Sequence, residues 1–457
     1  MLIFLRSSAK SFPVSSYTSD LVRHLGFSGL AKAADLRARL GVSPQTLGRL
    51  LEGAGEEVIR IGRARATQYA RTRHVESLGR RVPVVQVNEQ GAIAPRGQLR
   101  LLWGRRTWWE REDQSKSRLF EGLPPALADM TPQGYLGRGF ATRHAEELRL
   151  PQRVTDWSDD HCLIALARRG EDCVGNLLLG EESLSRFFKY QATEVRSEQF
   201  PELARQSASG DVGSFAGGER PKFGAFVEGR HVLVKFASEA RTAAAIRWRD
   251  LVWCEWRALE TLRVAGVEAA PARCLDIDGW RFLEVERFDR VGLSGRRAAL
   301  SLMALANEEL GSIDSWSAAA PQLRHRPFLL SETDARRLRW LDVFGHLIGN
   351  TDRHFGNVSF LANDDGGLRL APAYDMLPMI LAPSGEDLPA RPVDFSPPSA
   401  SNLDVWPDAA RWATSYWQAL SANPELQHGV RAFAAASVEA IAELAARIVP
   451  GFQATAG

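Results

Sequence analysis

The feature that most constrains this chain is a hairpin signal close to its final hundred residues. "VSFL" and "LRLAPA" flank "ANDDGG", a turn sequence that folds two apolar runs against each other. Whatever precedes the first run must then meet whatever follows the second. "LIGNTDRHFGN" precedes it and "YDM" follows it, so Asn357 and Asp375 should stand together at the open end. Gly, Asn and Asp are also the residues turns prefer, so the loop alone settles nothing. Its convergence with Asp375 is what turn chemistry does not require.

Asp352 and Asn357 form Asp-x-x-x-x-Asn, the spacing by which protein kinases place a catalytic carboxylate and a metal-binding amide on one loop. Asp375 would supply a second oxygen ligand for a hard cation such as Mg²⁺. Upstream, Gly210, Gly213, Gly217 and Gly218 precede an expected strand at 223–227, a tight turn at Glu228-Gly229, and a second strand, "HVLVKF". Glycines there let backbone N–H groups approach a phosphate, and Lys235 on the second strand supplies a point charge. A long helix follows, about 240–265, closed by Gly266. Leu251, Glu255, Leu259 and Leu262 share one stripe of it, which leaves Glu255 two expected environments. Either Lys235 neutralises it in the core, or it reaches water from the helix edge. Because phosphoryl transfer has a loose transition state, these residue types suit it: Asp352 orients the acceptor hydroxyl, Asn357 and Asp375 hold Mg²⁺ on ATP, and Lys235 holds the phosphates.

"SFAGGERPK", "LVKF", "VERFDR", "LIGNTDRHFGN" and "APAYDM" occur in the order of the HipA-like serine/threonine kinases, and the chain from about residue 83 to 457 resembles that toxin family. The resemblance implies a catalytic role for Asp352, metal ligation by Asn357 and Asp375, and an ATP-phosphate contact for Lys235. It adds Glu286 and Phe288 at the hinge that meets adenine, Lys222 beside the Gly-rich loop, and Ser214 as the autophosphorylated serine. Phosphorylation of Ser214 would add about two negative charges where ATP phosphates sit and eject the loop. "SFAGGERPK" is one residue longer between serine and lysine than the founding member's pattern. Some family members modify aminoacyl-tRNA synthetases, and the founding member works with a separate DNA-binding antitoxin.

Charge is uneven along the chain. Residues 1–81 carry 14 Lys/Arg against 6 Asp/Glu, a net of +8 that leaves the remainder at −6, which suggests a basic module on an acidic body. "LAKAADLRARLGVSPQTLGRLL" predicts two helices, with Ala34, Leu36 and Leu40 on one apolar face, Gly41 ending the first, and Ser43 capping the second. Gln45, Thr46 and Arg49 fall on the outer face of the second, where a recognition helix would meet a major groove. "EVIRIGRARATQYA" predicts a hairpin bearing Arg60, Arg63 and Arg65, with Arg71 and Arg73 close by. The stretch resembles a winged helix-turn-helix, and double-stranded DNA is the expected partner; a solvated protein-interaction face is the alternative.

The expected fold is multidomain α+β: a winged helix-turn-helix at 1–81, a small β-rich subdomain at 82–150, a mixed αβ kinase N-lobe at 151–290, and a mainly helical C-lobe at 291–457. "AALSLMALANEEL", "ETDARRLRWLDVFGHLIG", "DAARWATSYWQAL" and the C-terminal run read as its helices, and 381–407 as a long surface loop. Four scattered cysteines without C-x-x-C spacing argue against disulfides and structural zinc and for a reducing cytoplasm. The N-terminal apolar run, which ends at Arg6, is too short for a signal peptide, and Arg431, Glu439, Glu443 and Arg447 interrupt the C-terminal one, so no membrane partner is expected. A nucleotide-sensing transcriptional regulator is the rival to the kinase. Aminoglycoside-type phosphotransfer is disfavoured, since those enzymes carry His where Asn350 stands.

Overall fold

The computed structural model describes residues 14–113, 116–190, 192–209, 220–306, 310–362 and 367–448. Ser214, Gly217 and Gly218 lie outside the described residues, as do Gly210, Gly213 and most of the "ANDDGG" turn.

The basic segment folds as three helices, Val14–Ser28, Ala33–Leu40 and Pro44–Ala54, with a sheet in which Gln68–Arg71 lies between Leu30–Ala31 and Val58–Ile61. Gly41 adopts the left-handed conformation that closes the second helix, and the Ser43 side chain accepts from Thr46 N–H to open the third. Leu21, Leu25, Leu36, Leu47, Leu50 and Val58 form its core. The sequence pattern included neither the first helix nor its leucines, and Ala34, expected inside, is exposed. The hairpin turns at Gly62, whose positive φ and 2.5 Å approach of a would-be Cβ to the Ala66 carbonyl exclude a side chain.

The other face of this small sheet is covered too. Ile61 and Ala70, with Leu30 and Ile59, pack against Leu102, Trp108 and Leu119 of a second sheet. That sheet is antiparallel and five-stranded, in the order Arg118–Glu121, Arg106–Glu110, Ile93–Leu102, Arg81–Val87, Leu177–Leu179. The two sheets are also sewn together through the backbone, Arg73 N–H to Leu101 O at 2.8 Å and Trp103 N–H to Arg71 O at 2.9 Å. Arg71 lies over the Trp103 ring, while Arg73 pairs with Asp160 and donates to Leu102 O. Helices Gly134–Leu148 and Asp159–Arg169 pack in the core on the far face of the five-stranded sheet.

A four-stranded antiparallel sheet follows, ordered Ala272–Ile277, Trp280–Glu286, Arg230–Ala237, Lys222–Val227. Strand alternation divides its side chains. Val232, Val234 and Phe236 join Phe200, Phe223 and Phe282 on one face; Ala237 and Leu283 face Val252 of the helix Ala243–Val264 on the other. Lys235, between Val234 and Phe236, therefore points to the helix.

The largest core gathers Leu251, Leu259 and Leu262 of that helix with helices Trp316–Leu323, Glu332–Leu347, Trp406–Ala422 and His428–Ile448. The expected hairpin is present as Ser359–Ala362 and Leu368–Leu370. Its other neighbour corrects the sequence reading: Ala299–Ser301 of the supposed helix "AALSLMALANEEL" is a strand paired with Ser359–Leu361, and helix begins only at Leu302. A short apolar run carries no period that separates the two, so pairing decides. Residues 381–407 are held by Phe395, buried beside His346, whose Nε2 accepts from Ser396 N–H at 3.1 Å. Among the described residues no helix is long and apolar enough to cross a membrane.

Candidate functional site

The site forms where the four-stranded sheet meets the helical core. The helix Glu332–Leu347 ends against Trp417, whose indole N–H donates to Leu347 O at 2.8 Å, and Gly349 takes a positive φ to release the chain into "NTDRHFGN". Asn350 is fully buried there. Its Nδ2 donates to Asp375 O at 3.0 Å, and its Oδ1 accepts from Asp352 N–H at 3.0 Å. One amide thus joins the backbones of the two aspartates, which lie 23 positions apart in sequence. Asn357 Nδ2 donates to Asp352 O at 2.8 Å, bringing the third loop residue in and leaving its oxygen as the acceptor atom.

The segment carrying Asp375 is pinned from its other side. Ala270 N–H donates to Ala373 O and Ala373 N–H to Glu268 O, both at 2.9 Å, across a parallel bridge. Tyr374 stacks on Phe288 at 5.6 Å and donates to Gly356 O at 3.0 Å. Asp375 has a φ of 54°, left-handed backbone that Asp tolerates better than most residues.

From the sheet side, Lys235 Nζ donates to Glu255 Oε1 at 2.5 Å and also contacts Asp375 Oδ1. Glu255 is fully buried, so of its two expected environments the core ion pair is the one present. Burial opposes charge on Lys235, but Asp375 and Glu255 outweigh it and raise its pKa. Burial likewise pushes the Asp375 carboxyl up, while Lys235, then Lys222, prevail and hold it at about 2. Lys222 is paired in register with Lys235 on the neighbouring strand.

Asp352 differs from these. Its side chain is about half exposed, with His354 Nε2 at 4.0 Å from Oδ1. His354 Nδ1 accepts from Gly356 N–H at 3.0 Å, so in the neutral ring the proton sits on Nε2, facing Asp352. Glu286 ends its strand and Phe288 lies two residues beyond it; Glu286 pairs with Arg230 at 3.4 Å, and its N–H donates to Pro271 O. The neighbouring Arg287 and Asp289 make a forked pair at 3.1 and 3.0 Å, joined by Arg290 at 2.6 Å, and Asp289 Oδ2 also accepts from Gly175 N–H at 2.9 Å. Burial raises the Asp289 carboxyl, but Arg287 and Arg290 pull it well below the usual range.

The structure therefore brings together Lys235, Glu255, Asp375, Asp352 and Asn357, with Lys222 beside them. Gln45, Arg49, Arg60, Arg63 and Arg65 lie exposed on the N-terminal unit, while Thr46 is half-buried with its hydroxyl 2.9 Å from Ser43. Sequence reasoning gave no structural role to Asn350 or Arg220. Asn-x-Asp is an Asx-turn spacing and could have marked Asn350; Arg220 had no such signal.

Two family models match the chain: the middle domain of YjjJ-like toxins over residues 78–188, and the HipA-like C-terminal domain over residues 214–449. Toxin YjjJ of Escherichia coli K12 is 33% identical over 435 residues, which cover 92% of this chain and 97% of that protein. Among solved structures, HipA of Shewanella oneidensis MR-1, in its complex with HipB and operator DNA, is 15% identical with a TM-score of 0.47, over 71% of this chain and 85% of that one. The proinflammatory kinase CtkA of Helicobacter pylori is 15% identical with a TM-score of 0.34, over 52% of this chain and 91% of its own.

Proposed function

The chain belongs to the HipA-like toxin family, and on that premise we propose that it is an ATP- and Mg²⁺-dependent serine/threonine protein kinase coupled to a DNA-binding N-terminal unit. The observation that carries this reading is the linkage of Lys235 to both Glu255 and Asp375, with Asp352 tied to the same aspartate through Asn350. Lys235 holds the ATP phosphates, oriented by Glu255. Asp352, the exposed carboxylate, orients the acceptor hydroxyl and takes its proton. Asn357 and Asp375 offer an amide oxygen and a carboxylate, the hard donors that Mg²⁺ accepts while keeping several waters. The Asp375 carboxylate already has a cation against it in Lys235, which is the fit expected of a position that takes positive charge. Bound Mg²⁺ supplies charge neutralisation on the phosphates.

Glu286 and Phe288 border the adenine, and Lys222, Gly217 and Gly218 the phosphates. Ser214 is the proposed autophosphorylation site. In the N-terminal unit the helix Pro44–Ala54 serves as recognition helix, through Gln45, Thr46 and Arg49, and the hairpin as wing, through Arg60, Arg63 and Arg65. The division at residues 81, 150 and 290 stands as part of this proposal, with Leu177–Leu179 completing the sheet of the preceding segment. The acceptor is a protein hydroxyl, an aminoacyl-tRNA synthetase being one family precedent, and a separate antitoxin is a further partner to seek.

The test is incubation of the purified chain with γ-labelled ATP and Mg²⁺, followed by mass spectrometry of the modified residue. Label on Ser214, absent from an Asp352→Asn variant, is expected; a wild-type chain that transfers nothing to itself or to a cell extract removes the kinase reading. That outcome, with DNA affinity altered by ATP, is what a nucleotide-sensing regulator predicts, and the clamped N-terminal unit favours it as the second reading.

A further inference from the structure

Glu255 has two cations, not one. Lys235 reaches Oε1, and Arg220 Nη1 reaches Oε2 at 3.3 Å. Arg220 is more than nine-tenths buried, its Nη2 donates to Trp248 O at 3.3 Å, and its guanidinium lies 4.9 Å from the centre of the Trp248 ring. A planar fork held by a carboxylate, a carbonyl and an aromatic face has a fixed orientation that a lysine could not copy. In sequence Arg220 directly follows residues 210–219 and stands two positions before Lys222, which opens the first strand.

The charges around Lys235 explain why a second cation is needed. Its single ammonium faces two carboxylates, Glu255 and Asp375. If Glu255 had no other partner, this fully buried carboxylate would hold Lys235 with its whole charge, since burial removes it from the screening of bulk solvent. An incoming phosphate would then compete with Glu255 for the same ammonium. A guanidinium on the other oxygen removes that competition.

Resting on the kinase reading above, we propose that Arg220 is a positioning residue: it neutralises the outer oxygen of Glu255, so that Glu255 aims Lys235 without consuming its charge, and Lys235 stays available to a nucleotide phosphate. It also attaches the chain that leaves the Gly-rich segment to the same carboxylate.

The test measures Mg²⁺-ADP affinity by calorimetry on the full-length chain, with a thermal melt of each variant. Arg220→Gln should weaken ADP about tenfold, and Arg220→Lys, which restores charge without the fork, should recover part of that loss. The double variant Arg220→Gln/Glu255→Gln should bind more tightly than Arg220→Gln alone, because a neutral residue 255 no longer holds Lys235; a merely structural Arg220 would give no such recovery. Arg220→Gln binding within about twofold of wild type, or a double variant no tighter than the single one, overturns the inference. A wild-type chain that binds no ADP overturns the kinase reading and this inference with it.

Discussion

Replacing Asn350 by alanine tests whether one buried amide holds the two aspartates in place. The substitution removes the bonds to Asp375 O and Asp352 N–H, each 3.0 Å long, and leaves the Asp375 carbonyl without its partner. Two bonds at about 1 kcal/mol each, with about 1–2 kcal/mol for the orphaned carbonyl, give a loss of about 3–4 kcal/mol. The melting transition of the helical core should fall by about 6–16 °C. Activity should fall as well, even where the variant stays folded, because displacing a catalytic group by about 1 Å can cost about 10²-fold in rate. Asn350→Asp sharpens the test: it keeps the acceptor for Asp352 N–H but sets an oxygen against the Asp375 carbonyl, so it should be no better than alanine. The assay is autophosphorylation at saturating Mg²⁺-ATP, at a temperature where circular dichroism shows the variant folded. An Asn350→Ala protein that melts within about 1 °C of wild type and labels itself at a similar rate would refute the reasoning.

Four further outcomes are expected. Asp375→Asn should lower phosphate transfer by about 10²–10⁴-fold, since it removes the charge of a proposed metal ligand and one of the two carboxylates on Lys235 together. With its folded pKa depressed to about 2, Asp375 contributes stability that is present above the usual carboxylate pKa and lost as pH falls through about 2. Wild type and Asp375→Asn should thus converge in urea stability between about pH 4 and 2, by about 2 kcal/mol. Arg49→Ala and Arg60→Ala should each reduce the log–log salt dependence of DNA binding by about one unit if they meet phosphates, as read by fluorescence anisotropy across a salt series. Arg73→Ala breaks the pair with Asp160 and the bond to Leu102 O, and limited proteolysis should then cut between residues 72 and 81 faster than in wild type.

What could be read from the sequence was what short-range chemistry determines. The hairpin after Asn357, the Ser43 cap and the Gly41 stop each rest on a few adjacent residues. Glu255 was placed on the buried stripe by helical period, and Lys235 was its only evident partner. Long-range partners were not legible. Arg220 meets Glu255 from 35 positions away, and Asn350 meets Asp375 from 25, with no pattern linking either pair. Ala299–Ser301 became a strand because Ser359–Leu361 offered an edge, a fact stored elsewhere in the chain. The first helix, Val14–Ser28, precedes the segment whose caps and turns drew attention, so its leucines were missed. The contact between Ile61 and Leu102 joins two sheets, each of which reads as an ordinary amphipathic pattern alone.

That contact has a mechanical consequence. A hairpin covered on both faces and stitched at its end to a larger sheet cannot swing as a tethered hook would. Were the basic unit to grip a duplex, the rest of the protein would be carried at a set bearing, its Asp352 carboxylate facing one direction relative to the double helix. Neighbouring proteins on the same stretch of DNA would then fall inside or outside its reach according to helical phase, so that moving their binding sites by half a turn should switch them between the two.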